Sequence, residues 1–402
     1  MQPCLRLPSP ALPVSGRGLV ALSIGAMTSS LIEFRHDLHS HPELAHEEHR
    51  TAGKVVEFLT PLQPDRMLTG VGGTGVVATF DSGVPGPVLL FRSELDALPI
   101  VEIGVEGHGS THHGKSHKCG HDGHAAMLCG LAQRLSAQRP ERGVVHLLFQ
   151  PAEETGTGAA AVLADPRFDD IRPDFGIAIH NMPGFPLHSF VIKPGSITAA
   201  VRSLVIRYTG RTAHASEPEK GENPSLAIAD LLHGCDELCI NDLSSPDFRL
   251  ITSVHVRVGS AAYGVSAGDG EVHLTIRTVT NDRLAWLQEQ IVALAERLGE
   301  RDRMSVTVEV VEDFYANMND PEVTERVLRA AQERGFDILT PEVGMRAGED
   351  FGLFTERFPC CMVLLGAGED YHPIHNPHYD FPDALIDTGV ELYDTIVRHA
   401  LA

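Results

Sequence analysis

Short, almost uninterrupted apolar runs recur along this chain, and they constrain its fold more strongly than any other feature. The four clearest runs are residues 87–91, 144–149, 175–179 and 362–365. Such runs are typical of strands that helices cover on both faces. Residues 124–135 have the composition of a buried helix, and residues 320–335 form an amphipathic pattern with Asp320 as N-cap and Gly335 as the stop. This alternation predicts an α/β sheet.

The middle of the chain follows a different pattern. Residues 203–208 and 272–277 alternate between apolar and polar side chains, as half-exposed strands do, and helical patterns lie at 224–238 and 281–298. We therefore predict a main α/β domain that is interrupted by a smaller α+β satellite domain. The predicted bounds are 28–197 and 312–402 for the main domain and 198–311 for the satellite domain.

Length and charge restrict the class of protein. A chain of 402 residues is too long for one ordinary core, and its 43% apolar content is that of a folded protein. The formal net charge of −22 argues against nucleic acid as a partner, because phosphates are bound by Lys and Arg. Beyond the first residues no stretch approaches the roughly 20 apolar residues that span a bilayer, so we expect no membrane partner.

The cysteines and the first residues indicate the cellular compartment. The seven cysteines form an odd set that includes the neighbours Cys360 and Cys361, and this does not resemble a disulfide framework. A reducing cytosol fits better, so we predict a cytoplasmic protein. Residues 1–27 are apolar and Pro-rich, with prolines that would interrupt a signal-type helix, and we interpret them as a disordered leader.

Residues 117–124 contain a cluster of possible metal ligands. Cys119 and His121 would share one face of an extended segment, and Gly120 between them would let the backbone approach an ion. A borderline divalent ion such as zinc binds thiolate, imidazole and carboxylate together. Alternatively, Cys119 is a buried apolar residue and the neighbouring histidines are solvated. Those histidines are His108, His112, His113, His117 and His124.

Glu153 and Glu154 follow a strongly apolar strand, at whose carboxyl end open α/β sheets assemble their sites. Adjacent carboxylates repel, so one can stay ionised beside a cation while the other has a raised pKa suited to general base catalysis. Two solvated glutamates at the positive end of a helix are the alternative interpretation. The turn-forming Pro151 and the glycines that follow favour the functional one.

Further polar residues follow strands. His180 ends the third apolar run, and His375 lies in a His-rich segment near the end of the chain. A single histidine after a strand is usually a satisfied polar residue, but two at the level of Glu154 indicate a site. Glu94 and Asp96 would share a face after the first run and could orient metal-binding histidines, or could serve a capping or turn role.

Taken together, these segments resemble the M20 family of metallopeptidases, in particular its amidohydrolase branch of N-acyl amino acid, auxin-conjugate and hippurate hydrolases. The resemblance covers nearly all of the chain after Met27, and it depends on an ordered set of motifs. The motifs lie at 35–39, 41–44, 95–99, 119–124, 149–154, 210–215, 348–351 and 375–381.

The resemblance implies a fold, a metal site and a dimer. The fold would be a mixed-sheet, zinc-peptidase-like catalytic domain with an inserted lid and dimerisation domain. Two divalent ions per subunit, manganese or zinc, would be held by five ligands, with Cys119 bridging. The five ligands would be Cys119, His121, Glu154, His180 and His375. Glu153 would act as general base on the attacking water, and His214 from a partner subunit would assist the oxyanion.

Three departures from the family pattern concern the surroundings of the site. Glu94 stands where the branch commonly has Asp, and Lys118 replaces a small residue beside Cys119. Residues 264–267 replace a motif that normally contributes a polar substrate contact. Arg277 remains and could pair with a substrate carboxylate.

The preferred hypothesis is a metal-dependent hydrolase that cleaves the amide bond of N-acyl amino acids or similar small amides. A dipeptidase or carboxypeptidase of the same family is the alternative within hydrolysis, and a dipeptidase would require a free α-amino group on its substrate. An alternative of another class is a catalytically silent, dimeric metal-binding protein. Loss of Glu153 or of a ligand would indicate that class, and all are present.

Overall fold

The computed structural model describes residues 24–402, so residues 1–23 of the predicted leader lie outside the described residues. The α-helices are α1 (Ile24–Ser40), α2 (His49–Leu59), α3 (His121–Ala137), α4 (Gly158–Leu163), α5 (Ser225–Leu238), α6 (Asn281–Arg301), α7 (Pro321–Glu333), α8 (Gly352–Thr355) and α9 (Leu385–Ala400). The first strands are β1 (Arg66–Val71), β2 (Gly75–Asp81), β3 (Val88–Glu94), β4 (Val144–Gln150), β5 (Phe175–Met182), β6 (Phe190–Val191), β7 (Gly195–Thr198) and β8 (Ala200–Thr209). The remaining strands are β9 (Ala213–His214), β10 (Arg249–Val258), β11 (Val265–Ser266), β12 (Asp269–Thr278), β13 (Ser305–Phe314), β14 (Asn317–Asn319), β15 (Ile338–Leu339) and β16 (Cys360–Gly366).

The larger sheet is mixed, with strand order β1-β2-β4-β3-β5-β16-β6-β15. Its centre is parallel, because β3 pairs in parallel with β4 and β5, and β5 pairs in parallel with β16. These four strands contain the predicted apolar runs, and nearly all their residues are buried, as expected for strands covered on both faces. The predicted α/β class is therefore confirmed.

Helices cover both faces of this sheet. One apolar cluster joins it to α1, α2, α3, α7 and α9, and a second cluster, on other side chains of the same strands, includes residues of α4 and α8. The buried helix α3 contains the predicted segment 124–135. Helix α7 begins as predicted, because the Asp320 side chain accepts hydrogen bonds from the Glu322 and Val323 backbone N–H groups.

A separate antiparallel sheet has the strand order β10-β12-β8-β13, and α5 and α6 pack on one of its faces around a third apolar cluster. Along β12 the side chains alternate between buried and half-buried, which matches the predicted α+β satellite. Its last strand ends at Phe314, three residues beyond the predicted bound of 311. The domain bounds themselves stay a prediction.

Among the described helices, none combines the length and the apolar content required to cross a bilayer.

Candidate metal centre

Three neighbouring parallel strands bring the predicted site residues to one edge of the larger sheet. Asp96 follows β3, Glu153 and Glu154 follow β4, and His180 lies near the end of β5. Because parallel strands end at the same edge, these side chains converge there. His121 is the first residue of α3 and joins them from the side.

A tight turn holds Cys119 and His121 together. Gly120 between them has φ 97°, and a Cβ atom at this position would lie 2.0 Å from Asn181 Oδ1. Only glycine fits both the left-handed backbone and the close approach of Asn181. The turn places the Cys119 Sγ atom 3.4 Å from His180 Nε2.

The five predicted ligands lie together. His121 Nε2 is 3.9 Å from Glu154 Oε1, and His375 Nε2 is 3.5 Å from Glu154 Oε2. Two groups of three have donor atoms within 4.8 Å of one another, and both groups contain Cys119. One group is Cys119, His121 and His180; the other is Cys119, Glu154 and His375. This sharing is the arrangement expected if Cys119 bridges two ions.

His375 reaches the site on a strained loop. Its φ of 64° is unusual for a residue with a Cβ atom, and its backbone N–H donates to the Lys118 carbonyl at 2.7 Å. This hydrogen bond ties the late segment to the turn that carries Cys119. Backbone strain of this kind is concentrated at functional sites.

The donor set fits divalent ions. His121 Nε2 and Glu154 Oε1 are buried and have no hydrogen-bond partner among the described residues. Buried polar atoms are normally satisfied, so these two atoms point to a missing ligand. The Nδ1 atoms of two of the histidines lie next to carbonyl oxygens, His121 Nδ1 at 2.8 Å from Asp96 O and His180 Nδ1 at 2.7 Å from Asn181 O. Both rings therefore present Nε2 to the site.

The pKa values of Cys119 and His180 agree with a site that binds cations. Burial raises the pKa of the Cys119 thiol well above its usual value, and the charges of Glu154 and Glu153 raise it further. A thiolate is therefore stable here only when cations balance it. Burial also lowers the pKa of His180 to about 4, which leaves a neutral imidazole able to bind a metal.

Glu153 lies within the same group but has different surroundings. Its Oε2 atom is 3.8 Å from His121 Nε2, and its Oε1 atom accepts a 3.3 Å hydrogen bond from the Asp350 backbone N–H. Burial raises its pKa, as do the charges of Glu349 and Glu154. A carboxyl group with a raised pKa is suited to taking up and releasing a proton.

The two predicted orienting carboxylates lie in different places. Asp96 Oδ1 is 3.2 Å from His121 Nδ1, and Asp96 Oδ2 accepts from the Glu154 backbone N–H at 2.9 Å. Glu94 instead bonds to Arg92 and lies 2.7 Å from His124 Nδ1. Asp96 thus touches two predicted ligands, whereas Glu94 supports a histidine behind them.

Lys118 carries its charge away from Cys119. Its Nζ atom donates to Glu102 Oε1 at 2.6 Å and to the Tyr379 carbonyl at 2.7 Å. The unusual lysine is therefore part of a partly buried ion pair beside the turn that carries Cys119.

A cavity of about 340 Å³ opens over these residues. Arg277 of β12 lies in its wall, and its Nη1 atom donates to the Arg346 carbonyl at 2.6 Å. His214 does not line this cavity; it is exposed on β9, opposite Val265 of β11. The altered segment 264–267 is therefore adjacent to His214.

Sequence reasoning missed two site residues. Arg92 is fully buried and donates to Glu349 at 3.0 Å and to Asp350 at 2.7 Å. Glu349 lines the cavity, and one of its oxygens is buried without a partner in the described chain. A single arginine within a buried strand was the available signal, since a buried charge requires partners.

The chain matches a model of "Peptidase family M20/M25/M40" over residues 90–399. It is 28% identical over 379 residues to the N-acetyl-L-cysteine deacetylase of Bacillus subtilis strain 168, covering 94% of this chain and 90% of that protein. It is 28% identical over 362 residues to the N-acetyldiaminopimelate deacetylase of Bacillus pumilus strain SAFR-032, covering 90% and 96% respectively.

A solved structure has the same fold. The crystal structure of the Bacillus subtilis YXEP protein, described as a dinuclear metal-binding peptidase from the M20 family, superposes with a TM-score of 0.80 and 25% identity. The match covers 94% of this chain and 99% of that one.

Proposed function

The chain belongs to peptidase family M20/M25/M40, and from this premise we propose that it is a metal-dependent amidohydrolase that cleaves N-acyl amino acids to a carboxylate and a free amino acid. One observation carries the proposal: the five proposed ligands and Glu153 lie together, all but His121 line one cavity, and buried atoms of His121 and Glu154 have no partner among the described residues. The deacetylase relatives support the choice of an N-acyl substrate.

The chain's residues have separate tasks in this reaction. Cys119, His121, Glu154, His180 and His375 would hold two divalent ions, manganese or zinc. Bound there, the ions would polarise the amide carbonyl and lower the pKa of water. Glu153 accepts a proton as water adds to the carbonyl carbon. It then gives this proton to the amine nitrogen as the C–N bond breaks.

Arg277 would position the substrate. Its guanidinium lies in the cavity wall and can pair with the carboxylate of an N-acyl amino acid. This contact would orient the scissile amide toward Glu153, and correct orientation is itself a large part of catalysis.

The test is amine release from N-acetyl, N-benzoyl and N-arylacetyl amino acids and from dipeptides. Metal-stripped protein is refilled with manganese or with zinc, and the apo protein is the control. We expect metal-dependent release from the N-acyl amino acids. Release from dipeptides alone would instead assign a dipeptidase. Metal binding without turnover of any substrate would leave the metal-binding protein as the function.

We further propose that the active unit is a homodimer in which His214 of the satellite domain enters the cavity of the partner subunit. Its exposed position outside its own chain's cavity is compatible with this role. There it would donate a hydrogen bond to the oxyanion that forms when water adds to the amide.

His214→Ala is expected to lower kcat by about 10²- to 10³-fold, the usual cost of one oxyanion donor, while metal content and dimer mass stay unchanged. His49→Ala, at an exposed histidine of α2, is the matched control. Mixing His214→Ala with Glu153→Ala subunits should restore activity, because a mixed dimer then contains one complete site. No recovery on mixing would contradict the transfer of His214 between subunits.

A further inference from the structure

One wall of the cavity is a face of the satellite sheet, and it carries two opposite charges. Arg277 of β12 and Glu312 of β13 both line the cavity, and their strands lie on either side of β8. Arg277 stands opposite Val201, and Glu312 stands opposite Ser203, two residues further along β8. Residues two apart in a strand share a face, so the cation and the anion face the same space.

A β-bulge places Glu312 on this face. The register of β13 against β8 passes from Val310 opposite Leu204 to Glu312 opposite Ser203, which leaves Val311 as the extra residue. Without the bulge Val311 would stand opposite Ser203, and the cavity would receive an apolar side chain there. Bulges next to active sites commonly re-aim a side chain in this way.

Two hydroxyl groups orient the Glu312 carboxylate. The Ser203 hydroxyl donates to Glu312 Oε2 at 2.7 Å, and Ser203 Oγ lies 3.0 Å from Thr275 Oγ1. Since the Ser203 proton is directed to Glu312, Thr275 donates to Ser203. The second carboxylate oxygen accepts no hydrogen bond within residues 24–402, and Glu312 forms no close ion pair there, although its negative charge reaches Arg277 and opposes the lowering of the Arg277 pKa by burial. The carboxylate is thus held in place and available to a ligand.

We infer that Glu312 is a specificity residue that selects substrates with an ammonium group on the amino acid side chain. The inference builds on the proposed amidohydrolase function, in which Arg277 binds the substrate carboxylate. A substrate with both a carboxylate and an ammonium group matches the two charges of this wall. The corresponding class is the N-acyl derivatives of basic or diamino acids.

The test compares kcat/KM for Nα-acetyl-lysine and N-acetyl-norleucine, which has the same side chain without the ammonium group. Wild-type protein should prefer the lysine compound. Glu312→Gln should reduce this preference about three- to fivefold, which is the effect of losing one solvent-accessible ion pair. Glutamine is a conservative replacement because its side chain can still accept the Ser203 hydrogen bond. Glu309→Gln is the matched control, since Glu309 lies on the same strand, pairs with Arg207 and does not line the cavity.

Two further measurements separate charge from shape. Glu312→Lys should reverse the preference in favour of the neutral substrate, and the wild-type preference should shrink as salt is added. An unchanged preference in Glu312→Gln, with both substrates still hydrolysed, would overturn the role of Glu312 and leave the proposed function intact. Failure of the metal-loaded wild type to hydrolyse any N-acyl amino acid would overturn both.

Discussion

Glu153→Ala is expected to lower kcat by about 10²- to 10⁴-fold, the usual contribution of a general base, while both metal ions stay bound. The reason lies in its surroundings. Glu153 is 5% exposed, and its pKa is raised by burial and by Glu349 and Glu154, so it can hold a proton between the two halves of the reaction. The measurements are steady-state kinetics and metal content by mass spectrometry.

Glu154→Ala provides the matched contrast, because it changes the adjacent carboxylate in the same turn. Glu154 has a buried oxygen without a partner among residues 24–402, and its Oε2 atom lies 3.5 Å from His375 Nε2, so its removal should release metal. Loss of metal in Glu153→Ala would show that Glu153 is a ligand rather than the base. Retention of full turnover would remove it from the mechanism altogether.

The buried carboxylate Glu349 could be mistaken for a second base. Its Oε1 atom accepts hydrogen bonds from the Arg92 side chain at 3.0 Å and from the Phe351 backbone N–H at 3.0 Å. Burial is the largest single effect and would raise its pKa, but the charges of Arg92, His180 and His121 and the Phe351 hydrogen bond together outweigh burial, so the pKa is lowered. Glu349 is therefore held ionised, which leaves Glu153 as the proposed base.

Local patterns predicted much of the fold. The apolar runs that became β3, β4, β5 and β16 are buried on both faces, and such strands need no distant partner to be recognised. The bounds of α7 were equally easy to predict, because Asp320 and Pro321 stand at the start of the helix and Gly335 stands just after its end.

Site residues that depend on tertiary contacts were harder to predict. Glu349 lies in the motif at 348–351, but its pairing with Arg92 joins residues 257 positions apart, and no local pattern shows that pairing. The position of Glu312 depends on a one-residue bulge in β13, and the sequence around Val311 does not specify that shift. The five proposed ligands could be named from the sequence because each follows a strand or lies in a recognisable motif.

Cys119→Ser is expected to weaken metal binding by about 100-fold or more, since even residues that only orient a ligand contribute 10- to 100-fold. A serine hydroxyl stays protonated at neutral pH and is a harder donor than a thiolate, so it replaces the shape of cysteine without its affinity. Activity should be lost at micromolar metal and return in part when metal is in large excess. Cys239→Ser, at a half-buried thiol after α5, is the matched control.

Metal stoichiometry can show whether Cys119 is shared. His375 belongs to one of the two ligand groups and His180 to the other, whereas Cys119 belongs to both. His375→Ala and His180→Ala should therefore each weaken one ion preferentially, and Cys119→Ser should weaken both together. If Cys119→Ser retained one tightly bound ion, Cys119 would be a ligand of a single ion. The two groups would then have to be bridged by a carboxylate, for which Glu154 is best placed because it approaches both His121 and His375.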